Sequence, residues 1–101
     1  MEKLYNDKGQ VAVAVSYGHG AGWSTWNTEV KELCLDKTFN ELILAKKFKQ
    51  AEALAEELGY YGGGIEDCQI EWLEAETEFY ISEYDGFEEL ITVNDSIFIE
   101  A

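Results

Sequence analysis

The residues best suited to chemistry lie in one stretch, Tyr17-Gly18-His19-Gly20-Ala21-Gly22-Trp23-Ser24-Thr25-Trp26. It holds the only histidine, two hydroxyl side chains, two of the three tryptophans and three of the nine glycines. Glycine at that density marks a backbone that takes φ > 0 or lets something approach closely. Consecutive N–H groups in such a loop can form a nest for an anion. Ser24 and Thr25 would add hydroxyl donors, and Trp23 and Trp26 would offer flat faces for stacking. The alternative is a glycine turn whose tryptophans pack inward. A reaction does not assemble from these groups: His19 as base and Ser24 as nucleophile lack a third group to orient them. Neither phosphate fingerprint matches. Walker A needs a lysine where Trp23 precedes Ser24, and the loop reads G-x-G-x-G rather than G-x-G-x-x-G. The stretch is therefore read as a binding surface without catalysis, and no cofactor is expected. Cys34, Cys68 and His19 are too few and too far apart for zinc, so no metal is expected either.

Two other stretches have similar chemistry. In Glu83-Tyr84-Asp85-Gly86, a hairpin-turn sequence, Glu83, Tyr84 and Asp85 could clamp a ribose or an amine. Tyr60-Tyr61-Gly62-Gly63-Gly64 is a second aromatic–glycine loop. Periodicity leaves open whether it returns to the same end of a sheet as the first.

The elements that must position these groups follow from hydrophobic periodicity. Gln10–Ser16 alternates valine with alanine, which is the period of a strand with two apolar faces. It suits a central strand whose alanine face lies tight against a helix, with the glycine loop at its carboxyl end, where ligands gather in open sheets. Leu4 and Tyr5 are placed to pair with Val11–Val13 across the turn Asn6-Asp7-Lys8-Gly9. Thr28–Leu35 reads as a short helix or an irregular segment. Asp36–Leu58 is the main helical region, with a capping box at Thr38 and Glu41, a break into two helices marked by Lys46-Lys47, and Gly59 as C-cap. Asp67–Glu74, Thr77–Tyr84, Phe87–Val93 and Ser96–Glu100 read as strands. The expected fold is a single α+β domain, residues 1–101, with a small antiparallel or mixed sheet packed against one or two helices. Val11, Val13, Val15, Ile43, Phe48 and Leu58 are expected in its core.

Charge narrows the partners. The chain of 101 residues has a formal net charge of −14. Residues 1–49 carry seven lysines and six acids, a net +1; residues 50–101 carry fifteen acids and no base, a net −15. There is no arginine. Direct nucleic-acid binding is excluded on this balance, because phosphate neutralisation needs clustered Lys and Arg. No apolar run is long enough to span a membrane, and Met1-Glu2-Lys3-Leu4-Tyr5 does not begin a signal peptide. Cys34 and Cys68 lack C-x-x-C spacing and are expected as free thiols in a reducing cytoplasm.

The run Ser16–Asn27, with Ile70-Glu71-Trp72 and Glu83-Tyr84-Asp85-Gly86 downstream, resembles a family of small phage and prophage proteins. The resemblance spans nearly the whole chain and carries no catalytic residues over. It implies an accessory protein made in the cytoplasm of an infected bacterial cell, with anti-defence activity as the expected role. Two mechanisms follow. In the first, the protein sequesters a nucleotide-derived immune signal, with phosphate on the loop N–H groups, a base on Trp23 or Trp26, and ribose on Glu83 or Asp85. In the second, the acidic half blocks a basic surface of a host defence protein as a nucleic-acid mimic. A small nucleotide-processing enzyme is a third, weaker expectation. Self-association into a homo-oligomer is expected, since small ligand-sequestering proteins often build pockets between protomers.

Overall fold

A computed structural model describes residues 2–18, 22–30, 32–84 and 86–92. The element order is β1 (Val11–Ser16), α1 (Lys37–Leu44), α2 (Phe48–Glu57), β2 (Cys68–Leu73), β3 (Phe79–Tyr84) and β4 (Phe87–Thr92). Short 3-10 turns at Ser24–Trp26, Leu33–Leu35 and Ile65–Asp67 link them. This is the expected α+β class. The expected single sheet is replaced by two separate antiparallel pairs, β1 with β2 and β3 with β4. The expected strand at Ser96–Glu100 lies outside the described residues.

All six residues of β1 are buried, because both of its faces are covered. Ala14 packs with Phe39 and Ile43 of α1 and with Ala51 and Ala55 of α2. Val11, Val13 and Val15 pack with Cys34, Leu35, Phe79, Ile81 and Leu90. The small face thus admits the helices closely, while the branched face fills the space toward the β3–β4 hairpin. The buried Asn40 of α1 donates through Nδ2 to Ala12 O at 3.2 Å and Cys34 O at 3.0 Å, pinning the helix to the strand. The β1–β2 register runs from Val11 opposite Leu73 to Ser16 opposite Cys68. On the N-terminal side of β1, Ala12 N donates to Leu4 O at 2.9 Å. The Asn6 side chain organises the intervening turn by accepting from Lys8 N and Gln10 N.

The helices begin and end for local reasons. The N-cap of α1 is Asp36, whose Oδ2 accepts from Phe39 N at 3.0 Å; the cap is not Thr38, because the helix already starts at Lys37 and Thr38 lies inside its first turn. Lys47 N donates to Leu42 O and Lys46 N to Ile43 O, a Schellman ending of α1 with Lys46 left-handed at φ 59°. The same pair of bonds closes α2, from Tyr60 N to Ala55 O and from Gly59 N to Glu56 O. There the left-handed position is held by Gly59, at φ 81°. Of the expected core, Val11, Val13, Val15 and Ile43 are buried. Phe48 packs partly buried against the helical cluster. Leu58 is 52% exposed, standing as the C-cap at the end of α2 beyond the buried Ala51 and Ala55. No helix among the described residues is long and apolar enough to cross a membrane.

Candidate functional site

The loop after β1 is built around a residue far away in sequence. Glu88 of β4 is fully buried. Its Oε1 accepts from Ser16 N at 2.9 Å. Its Oε2 accepts from Trp23 N at 2.7 Å, from Thr25 N at 3.2 Å and from Thr25 Oγ1 at 2.6 Å. The amide donors on Glu88 are those of Ser16, Trp23 and Thr25, none of them a glycine, and neither Gly18 nor Gly22 takes φ > 0. The Trp23 and Thr25 amides are turned inward, and the Thr25 hydroxyl with them.

The remaining expected site residues separate into surface and core. Trp23 is fully buried and packs on Phe39 at 5.1 Å between ring centroids, so it offers no face to a ligand. Trp26 is 48% exposed and stacks on Tyr61 at 5.3 Å with an interplanar angle of 19°. This stack places the second aromatic–glycine loop at the same end of the molecule as the first. Asn27 secures the arrangement by donating from Nδ2 to Tyr61 O at 3.1 Å and accepting at Oδ1 from Tyr61 N at 2.8 Å. Tyr17 is half-buried, edge-on to Phe87, and its hydroxyl donates to Glu71 Oε1 at 3.3 Å. Burial, and then the neighbouring Glu71 carboxylate, push its phenol above the ordinary value. Gly18 lies where a Cβ would collide with the Asp67 side chain. A Cβ on Gly22 would stand 2.8 Å from Thr25 Oγ1 and from the Trp26 ring. Both glycines serve close packing within the chain. His19, Gly20, Ala21 and Asp85 lie outside the described residues.

Ser24, Thr25 and Glu83 do come together. They line a cleft of about 680 Å³ between the Ser24–Thr28 segment and β3. Asn27, Thr28, Glu32, Leu35, Phe79, Tyr80 and Ile81 also line it. Tyr80 is 47% exposed. Glu83 sits at the hairpin end, where its Oε2 accepts from Gly86 N at 2.6 Å. Tyr84 is 82% exposed and does not line the cleft. Among the described residues the charged groups on this lining are the carboxylates of Glu32 and Glu83, which favour positive charge over phosphate.

Cys34 and Cys68 are buried, free thiols. Burial, and then the Glu88 carboxylate, push Cys34 up to about 12, and the same two causes push Cys68 higher still. Neither thiol is a nucleophile at neutral pH. No cluster of His, Cys, Asp and Glu among the described residues is placed to hold a metal ion.

Sequence reasoning passed over Glu88, Glu32, Asn27 and Tyr80. A signal for Glu88 was available. In Phe87–Thr92 the acids Glu88 and Glu89 are adjacent, so in a strand one of them must face inward. Glu88 shares the face of Leu90. Comparison of the chain with protein-family models, with curated proteins and with solved structures finds no match.

Proposed function

We propose that the protein acts by binding rather than catalysis, as an acidic inhibitor that covers a basic surface of another protein, of the kind that holds nucleic acid. The observation that carries this reading is the charge of its surface. Every charged residue from position 50 to the end of β4 is Asp or Glu, and Glu74, Glu76, Glu78, Glu83 and Glu89 are exposed. Opposite charge steers and orients docking onto a basic groove. In an infected bacterial cell, the setting implied by the family resemblance, that partner is a host defence protein. The test is displacement of labelled DNA from purified nucleic-acid-binding defence effectors. The parent protein should displace DNA at low salt and lose this ability steeply as salt rises. The double variant Glu78→Lys, Glu89→Lys should fail. Displacement that ignores both salt and charge reversal would rule the inhibitor out.

One observation favours a second reading, sequestration of a nucleotide-derived signal. The cleft joins Ser24 and Thr25 of the first motif to Glu83 of the other. A ribose would meet the carboxylates, with phosphates directed outward. Heat release and mass spectrometry after incubation in extracts of infected, defence-active cells would recover the intact nucleotide. A modified nucleotide would point to an enzyme instead.

A further inference from the structure

We infer that the end of β1 and the turn that follows it form a binding site for a small monocarboxylate, with Glu88 as its resident, tethered occupant. The inference is independent of the inhibitor reading. The described donors to Glu88 are all neutral: the amides of Ser16, Trp23 and Thr25 and the Thr25 hydroxyl, at 2.6 to 3.2 Å. Both carboxylate oxygens are engaged, one by β1 and the other by the turn. Hydrogen bonds to an ionised acceptor are about twice as strong as neutral ones. At a fully buried position bulk water does not compete for them.

Each donor is also held by contacts that do not involve Glu88. Ser16 is fixed in register opposite Cys68, and its hydroxyl donates to Gly64 O at 2.8 Å. Trp23 is fixed by its buried ring against Phe39, and its carbonyl accepts from Asn27 Nδ2 at 3.0 Å. Thr25 lies inside the Ser24–Trp26 turn, which Trp26 N closes on Trp23 O at 3.0 Å. The stack of Trp26 on Tyr61 anchors the far side of that turn. The donors therefore keep their places when the occupant is cut away, and such preorganisation lowers the ordering cost of binding. Thr25 lies on the lining of the cleft as well as on Glu88, which gives a small ion a path from the surface. Glu32 and Glu83 on that lining repel a dianion such as phosphate more than a single carboxylate. That difference sets the ligand class.

Glu88→Ala deletes the equivalent of one acetate group, so acetate is the probe. The variant is melted in sodium acetate, sodium chloride, sodium phosphate and acetamide. At about 0.3 M acetate its melting temperature should stand about 5 °C or more above that in sodium chloride of equal ionic strength. Phosphate at equal ionic strength should give no such rise. Neither should acetamide, which keeps the shape of acetate but is uncharged and turns an NH₂ toward donors. The parent protein should melt alike in acetate and chloride, because Glu88 fills the site. Adding Thr25→Val to Glu88→Ala should raise the acetate concentration needed for the same effect about tenfold. If Glu88→Ala is unfolded in chloride, the same series is read as recovery of the folded amide spectrum, and acetate alone should restore it. An equal response to acetate, chloride and acetamide overturns the inference from either starting state. So does an acetate response as large in the parent, which would put the ion elsewhere on the molecule.

Discussion

Glu88 shows how much one side chain can organise. Three backbone amides and a hydroxyl converge on a carboxylate that has no exposed surface. Removing it orphans buried donors on β1 and on the loop together. Glu88→Ala should therefore cost at least about 3 kcal/mol in urea unfolding, since each buried unsatisfied group costs about 1–3 kcal/mol. Glu88→Gln keeps the shape but turns an amide NH₂ toward donors, and its loss should fall between parent and alanine. Trp23 belongs to the core, so Trp23→Ala should cost about 3–5 kcal/mol; a thermal melt close to the parent would contradict its placement. The buried thiols give a pH signature. Cys34 has an ordinary value of 9.0 and is pushed up to about 12 in the fold, so the unfolded chain loses this proton first as pH rises. The stabilisation is complete below about pH 9. Above it, stability should fall by about 1.4 kcal/mol per pH unit per thiol until the folded thiol ionises as well. Urea midpoints measured from pH 8 to 11 should show this slope, and Cys34→Ala should remove the Cys34 share while leaving that of Cys68.

At the scale of elements, α1 and α2 end in the same hydrogen-bond pattern but with different residues in the left-handed position. Gly59 adopts it freely, whereas Lys46 carries a Cβ into it at φ 59°. Lys46→Gly should therefore stabilise the protein by about 0.5–1 kcal/mol, read as a higher melting temperature. No change would mean that the lysine side chain offsets its backbone strain. Much of this level was legible in advance. The Val–Ala alternation announced β1 and its two covered faces, Lys46-Lys47 marked the helix break, and Asp-Gly marked the β3–β4 turn. The cap at Asp36 was missed because a local match, Thr38 with Glu41, stood two residues further on. Which of two adjacent candidates caps a helix depends on where the preceding chain delivers it.

For the whole molecule, the dominant fact is a net charge of −14 on 101 residues. Self-repulsion at that charge opposes the compact state, and salt screens it. Raising NaCl from about 0.02 to 0.2 M should raise the melting temperature by about 2–6 °C. A fall would show that attractive surface pairs outweigh the repulsion. The same salt that steadies the fold should weaken docking to a basic partner, so stability and binding should move in opposite directions across this range.

Alone, the sequence determined the α+β class, the strand after which the glycine loop begins, the buried helical face and the acidic second half. Each of these depends on period or composition, and both are properties of the chain itself. Tertiary structure decided how the described residues of the loop pack. Gly18 and Gly22 make room for Asp67, Thr25 and Trp26, and the Trp23 and Thr25 amides face Glu88. Trp23 and Trp26 occur three residues apart in one motif, yet one lies in the core and the other at the surface. The partners that settle these questions, Phe39, Tyr61 and Glu88, lie 16, 35 and 65 residues from the tryptophan each one meets. Contacts across such separations are set by how the layers pack, and no local pattern encodes them.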